Sequence, residues 1–132
     1  MSRHANPPAI TISERDHERL SNLALANEHL PGVGDYLTRE LERARIQPEH
    51  EIGQDVVVMG TTLEYRDDTT GIVRQVTLVY PEDQDIAAWK ISVLTPIGAA
   101  LIGLSAGQSI TFRDRAGEER RLTVTKILSP TK

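Results

Sequence analysis

The sequence predicts an α+β protein: a short antiparallel helical hairpin followed by a small antiparallel sheet carrying one short helix. Three observations lead there. Apolar residues recur at helical spacing up to about Ile46, then at strand spacing from about Asp55 onward, and the change falls at the polar, proline-broken stretch Gln47-Pro48-Glu49-His50-Glu51. The second half carries two turn-forming loops, Asp67-Asp68-Thr69-Thr70-Gly71 and Asp114-Arg115-Ala116-Gly117-Glu118-Glu119, each flanked by β-forming runs. A single Thr95-Pro96 step interrupts those runs with a helix start. The expected division is residues 1–50 for the hairpin and residues 51–132 for the sheet.

In the hairpin, Met1–Pro8 is polar and proline-containing, a frayed end by composition. Ser13-Glu14-Arg15-Asp16 has an N-cap residue with an acid at the fourth place, a variant of the capping box. The helix that follows would put Leu20, Leu23, Ala24 and Asn27 on one face. Leu30-Pro31-Gly32 ends it. A second helix, from near Gly34-Asp35 to Ile46, carries Leu37, Leu41 and Ala44, with Asp35 and Arg39 in the favourable acid-first order four residues apart. Two helices on so short a turn must run antiparallel, and at about 1.5 Å per residue the hairpin is only ~20–25 Å long. Helices of this length are marginal alone, so they must pack on each other or on the sheet.

In the sheet, the continuous apolar run Val56–Met59 suits a buried strand. Thr62–Arg66 and Val73–Val79 alternate, with Arg74, Val76, Leu78 and Tyr80 on one side of the second. Pro81-Glu82-Asp83-Gln84-Asp85 leaves as an acidic loop and returns at Trp89 and Lys90. A strand over Lys90–Leu94 then meets Thr95, which can cap, and Pro96, whose missing N–H costs nothing at a first helical position. Ile97, Ala100, Leu101 and Leu104 share one helical face, and Gly103 and Gly107 let the chain turn toward the final pair, Ser109–Arg113 and Arg120–Ile127.

Composition excludes several classes of function. The 132 residues carry 15 Lys and Arg against 19 Asp and Glu, a net charge of −4. The deficit is divided evenly between the two parts, so neither offers the basic face that a sequence-independent nucleic-acid binder requires; any contact with DNA would be indirect. There is no cysteine, hence no disulfide, thiolate or cysteine zinc site. His4, His17, His29 and His50 lack metal-ligand spacing; His17 reads as a hairpin-packing residue. Neither a nucleophile elbow nor a phosphate-binding loop is present, so no catalytic residue, metal or cofactor is expected. Apolar runs are too short to span a membrane and no secretory signal opens the chain, which points to the cytoplasm.

One block is recognisable. SVLTPIGAALIGLSAGQSI resembles the C-terminal domain of the Gre transcript factors, in which a strand leads into a Ser/Thr-Pro-Ile motif, then A-x-x-L-I/L-G and a closing strand pair. TLVYPED followed by that block is similar to the Rnk family, regulators of nucleoside diphosphate kinase, which are related to Gre but carry a much shorter N-terminal hairpin. The likeness runs from about Ile10 to Leu128. It implies an FKBP-like arrangement of the sheet and a non-enzymatic regulator that binds RNA polymerase at the rim of its secondary channel, competing there with Gre-type factors. In the Gre factors a far longer hairpin enters that channel, and two acids at its tip help to hold a catalytic Mg²⁺. Here the tip offers Glu28, His29 and Asp35, its two carboxylates on opposite arms.

The resemblance also implies a docking surface at the corner Leu94-Thr95-Pro96-Ile97-Gly98, with Ala100 and Leu101 behind it; the Gre counterpart grips the tip of a polymerase coiled coil. Ile97 would be the apolar anchor, unless it packs into the domain's own core. Three rival functions remain beside this one, the plainest an interaction module with an unknown partner. A transcript-cleavage factor would make the tip acids functional. A prolyl isomerase, suggested by fold analogy alone, would need an aromatic-lined pocket from a chain whose aromatics are Tyr36, Tyr65, Tyr80, Trp89 and Phe112.

Overall fold

The computed structural model describes residues 8–29 and 32–130. His4 and the Leu30-Pro31 break therefore lie outside the described residues. The chain folds as β1 (Thr11–Ser13), α1 (Glu14–Ala26), α2 (Val33–Arg43), β2 (Arg45–Gln47), β3 (Thr61–Asp67), β4 (Val73–Val79), β5 (Lys90–Ser92), α3 (Pro96–Leu101), β6 (Ser109–Arg113) and β7 (Glu119–Pro130). The two longer helices come early and the main sheet after them, with one short helix between β5 and β6, which is the α+β class that the change of period predicts.

The cap at Ser13 forms as its sequence suggests: the hydroxyl accepts from the Asp16 N–H at 3.1 Å, and Ser13 itself is extended. Leu20 and Ala24 bury the inner face of α1 against Leu37 and Leu41 of α2. The two helices run antiparallel. At one end, the His17 Nε2–H reaches the Leu41 carbonyl at 3.0 Å. At the other, Gly34 lies so close to Asn27 that a Cβ there would come within 2.6 Å of its carbonyl oxygen. His17 thus joins the hairpin, as its place one turn before Leu20 foretold.

The expected end of the second helix needs correction. The second helix stops at Arg43, and Ala44 is extended, at φ −72° and ψ 145°. Residues 45–47 instead form β2, paired in parallel with β1, with Thr11 opposite Arg45 and Ser13 opposite Gln47. The reason is tertiary. Extended backbone at Ile10 and Thr11 offers partners on both sides, since Arg45 N–H donates to the Ile10 carbonyl at 2.9 Å and Thr11 N–H to the Gly103 carbonyl at 3.1 Å. A helix continued to Ile46 would leave those groups unpaired.

The main sheet has five strands in the order β5-β4-β3-β7-β6. Three of its four pairings are antiparallel, but β5 pairs in parallel with β4, Thr77 opposite Lys90 and Val79 opposite Ser92. The sheet is therefore mixed, not purely antiparallel. The chain between β4 and β5 doubles back through turns at Pro81–Asp83 and Ile86–Ala88, then through Trp89 in the left-handed region at φ 58°. That detour sets the parallel direction. Register shifts at Thr62/Leu63 and Glu64/Tyr65 curl β3 against β7.

The run Val56–Met59 is no strand of this sheet. Val57 is fully buried, yet its N–H donates to the Leu104 carbonyl at 2.7 Å and its carbonyl accepts from Gly103 at 2.9 Å. The run closes over the loop after α3, so its apolar character comes from burial and not from a ladder. One buried cluster joins everything: Leu20, Leu37 and Leu41 from the hairpin, Leu63, Leu78 and Leu122 from the sheet, and Ala99–Leu101 from α3.

Candidate functional site

The corner after β5 is held by a compact set of bonds. Val93 N–H donates to the Val79 carbonyl at 2.9 Å, which keeps the chain alongside β4 one residue beyond the ladder. The Ser92 hydroxyl accepts from Leu94 N–H at 3.0 Å. The Thr95 hydroxyl donates to the Ser92 carbonyl at 2.7 Å and accepts from Gly98 N–H at 3.0 Å. Thr95 is thus the helix cap and Pro96 the first helical residue, as the sequence foretells. Gly98 is required: a Cβ would overlap the Ser92 carbonyl oxygen and come within 2.8 Å of the Val93 Cα. A backbone fixed in this way loses little entropy when it binds.

The predicted docking residues divide by depth. Leu94, Thr95, Pro96 and Ile97 are half-buried, while Gly98, Ala100 and Leu101 are buried. Leu94 and Ile97 both pack on the core with part of each side chain outside. The last three residues therefore support the corner from within, and a partner would meet the first four.

At the hairpin tip, Glu28, His29 and Asp35 are exposed. Asn27 caps α1, its side-chain N–H donating to the Leu23 carbonyl at 2.9 Å. Glu28 follows α1 and Asp35 lies in the first turn of α2, on opposite sides of the turn. Among the described residues no group of three or more His, Cys, Asp or Glu could hold a metal ion.

A third feature was not legible in the sequence. A cleft of about 550 Å³ opens between the start of α1, the 49–61 segment and the end of β4. Asp16 and Tyr80 meet there, the Tyr80 hydroxyl donating to Asp16 Oδ1 at 3.4 Å. The Arg19 guanidinium lies 3.7 Å over the Tyr80 ring and bonds Glu82 at 2.7 Å. Burial pushes the Asp16 carboxyl above its ordinary range, and burial together with the neighbouring Asp16 charge pushes the Tyr80 hydroxyl up. Asp16 reads in the sequence as a capping-box acid and Tyr80 as a residue sharing one side of a strand with Val76 and Leu78. Only their juxtaposition, 64 residues apart, shows the cleft.

Known proteins place this architecture. Residues 52–129 match the family model of the C-terminal part of the transcription elongation factors GreA/GreB, and residues 8–46 match the Rnk N-terminus. Together these define a class, a Gre-like regulator with an Rnk-type start. The chain belongs to the Rnk family, as the TLVYPED and TPIGAALIG segments suggest. The regulator of nucleoside diphosphate kinase from Escherichia coli K12 is 37% identical over 122 residues, which span 91% of this chain and 89% of that protein. The elongation factor GreA from Solidesulfovibrio magneticus is 32% identical over 76 residues, 58% of this chain and 46% of that one. A solved structure, the prokaryotic transcription elongation factor GreA/GreB from Nitrosomonas europaea, superposes with a TM-score of 0.69 at 37% identity, covering 91% of this chain and 98% of that one. Among the described residues, no helix is long and apolar enough to cross a membrane.

Proposed function

We propose that this protein is a non-enzymatic transcription regulator that docks on RNA polymerase at the rim of the secondary channel. It competes there with Gre-type factors and does not drive transcript cleavage. The observation that carries this reading is the shape of the hairpin. Its arms have 13 and 11 residues, so they extend only ~20 Å and ~16 Å. Its tip acids, Glu28 and Asp35, are exposed on opposite sides of the turn. An arm this short occupies the entrance of a channel without reaching deep into it. Two carboxylates so arranged, with no third ligand grouped beside them among the described residues, are a poor cradle for Mg²⁺, which demands near-octahedral geometry.

Docking falls to the corner in this reading. Thr95 and Pro96 hold it rigid and Leu94 and Ile97 supply a partly exposed apolar edge. Support comes from the GreA/GreB match over residues 52–129, which contains the whole corner.

The test is a pair of measurements. Core RNA polymerase should retain the protein, and added GreA should displace it. In a backtracked complex the protein should not raise Mg²⁺-dependent RNA cleavage. Cleavage above background that disappears in Glu28→Ala or Asp35→Ala would establish the cleavage-factor reading in place of this one. The polymerase's failure to retain the protein would overturn the docking reading.

A further inference from the structure

We propose that the cleft between α1 and the end of β4 is a receptor for a basic side chain of the protein partner, an arginine or lysine whose charged head is held by Asp16. The partner's identity rests on the function proposed above; the chemistry of the cleft does not.

The sign of the ligand follows from pairing the charges that line the cleft. Arg15 lies 3.5 Å from Glu49, and Arg19 lies 2.7 Å from Glu82 while also covering Tyr80. These two arginines are thus already matched with carboxylates. Asp16 and Asp83 also line the cleft, and neither has a cation within ion-pairing distance among the described residues. What remains after cancellation is negative. An anionic ligand would have to displace an existing carboxylate from each arginine, whereas a cation meets carboxylates that hold no ion pair among the described residues.

Asp16 is the focus because it is half-buried and its side chain meets only neutral donors, the Tyr80 hydroxyl at 3.4 Å and the Met59 backbone N–H beside it. A carboxylate withdrawn from water in this way holds no ion pair among the described residues, the Arg15 charge acting on it only from beyond ion-pairing distance. An arginine head offers five N–H donors in a planar fork, and a lysine head three. The walls suit the rest of such a side chain. Val58, Met59, Val79 and Ile127 line the cleft, apolar surface of the kind on which the methylene stem of a basic residue lies. The volume, about 550 Å³, is in the range of sites that enclose a small ligand and is ample for one long side chain.

Position favours a side chain of a macromolecular partner over a free amine. β4 and β5 run parallel and end side by side, Val79 opposite Ser92, and Val93 bonds back to Val79 at 2.9 Å. The wall formed by Val79 and Tyr80 therefore adjoins the strand that leads directly into Leu94, Thr95 and Pro96. A partner seated on the corner has this cleft at its side, so one basic residue can fix its register while the corner supplies apolar contact.

The isolated, isotope-labelled chain is titrated with N-acetyl-arginine amide, and separately with N-acetyl-citrulline amide, which has the same shape without the charge. Saturable shifts are expected at the amides of Asp16, Met59 and Tyr80 with the arginine probe, with affinity reduced about tenfold or more for citrulline. Equal response to the two probes, or no saturable response to either, overturns the proposal, and this comparison needs no variant. Asp16→Asn should abolish the preference for arginine with the spectrum otherwise intact; a preference that survives the substitution overturns the role of Asp16. In a second arm, Asp16→Asn should weaken retention by core RNA polymerase about tenfold. If the wild-type chain itself is not retained, the polymerase reading fails while the probe titration still decides the cleft.

Discussion

Tyr36 is the residue whose chemistry is least satisfied. Its hydroxyl is buried on α2 with no hydrogen-bond partner among the described residues, and burial pushes its ionisation well above the usual tyrosine range. A buried donor left unpaired costs about 1–3 kcal/mol. Tyr36→Phe removes the unpaired group and keeps the ring, so it should stabilise the protein by about 1 kcal/mol, a rise in Tm of ~2–5 °C. A calorimetric scan checks this, and a fall in Tm would show that the hydroxyl has a partner in solution. Asp68 is the opposite case. Its carboxylate accepts from Thr123 at 2.6 Å and Arg66 at 2.7 Å, with Arg121 3.5 Å away. Burial acts to raise its pKa, but those bonds and charges together outweigh it and hold the group below the ordinary carboxylate value. Because the folded pKa is depressed, the stability this group contributes is present above about pH 4 and is lost as pH falls through the folded value. Asp68→Asn should therefore lower stability by about 1 kcal/mol at neutral pH. Denaturation curves taken across the acid range should show that difference shrinking as the wild-type carboxylate protonates.

The same logic at the level of elements singles out α3 and its approach. Six residues are too few to make a stable helix by themselves, so α3 exists because Thr95 caps it and Ala99, Ala100 and Leu101 are buried beneath it. Its position depends on Gly98 touching the backbone at Ser92 and Val93. Gly98→Ala forces the helix away from β5 and should destabilise the fold by about 2 kcal/mol or more, the scale of overpacking against backbone that cannot yield. The urea midpoint measures this. A change of only a few tenths would mean that the corner is soft, which would weaken the case for it as a rigid docking element.

For the molecule as a whole, the decisive fact is that the buried cluster passes from the hairpin into the sheet without a break. Leu37 and Leu41 belong to the same core as Leu63, Leu78 and Ala100. Short helices that gain most of their stability from such packing should not unfold ahead of the sheet. Far-UV circular dichroism and exchange of sheet amides should report one transition with one midpoint. Hairpin unfolding at lower denaturant would show that the helices are a separable arm.

The sequence by itself determined the class of fold, the caps and the family. Ser13, Thr95-Pro96 and the alternation over Val73–Val79 act through neighbours within a few residues, so their consequences are visible in one dimension. The same holds for the exposed tip acids and the polar loops at Asp67 and Asp114. Only the tertiary structure decided the rest. The strand character of residues 45–47 comes from Ile10. The parallel direction of β5 comes from the detour through Trp89. Val56–Met59 has the hydrophobicity of a strand but is spent on the loop after α3. The corner from Leu94 to Gly98 was readable as a motif, but the split between half-exposed Ile97 and buried Leu101 was not, because helical spacing tells which residues share a face and not how deeply that face sits. The cleft around Asp16 and Tyr80 left no local trace at all. Its members come from α1, the 49–61 segment and the end of β4, and long-range proximity of that kind is settled by how elements pack, which no short stretch of sequence encodes.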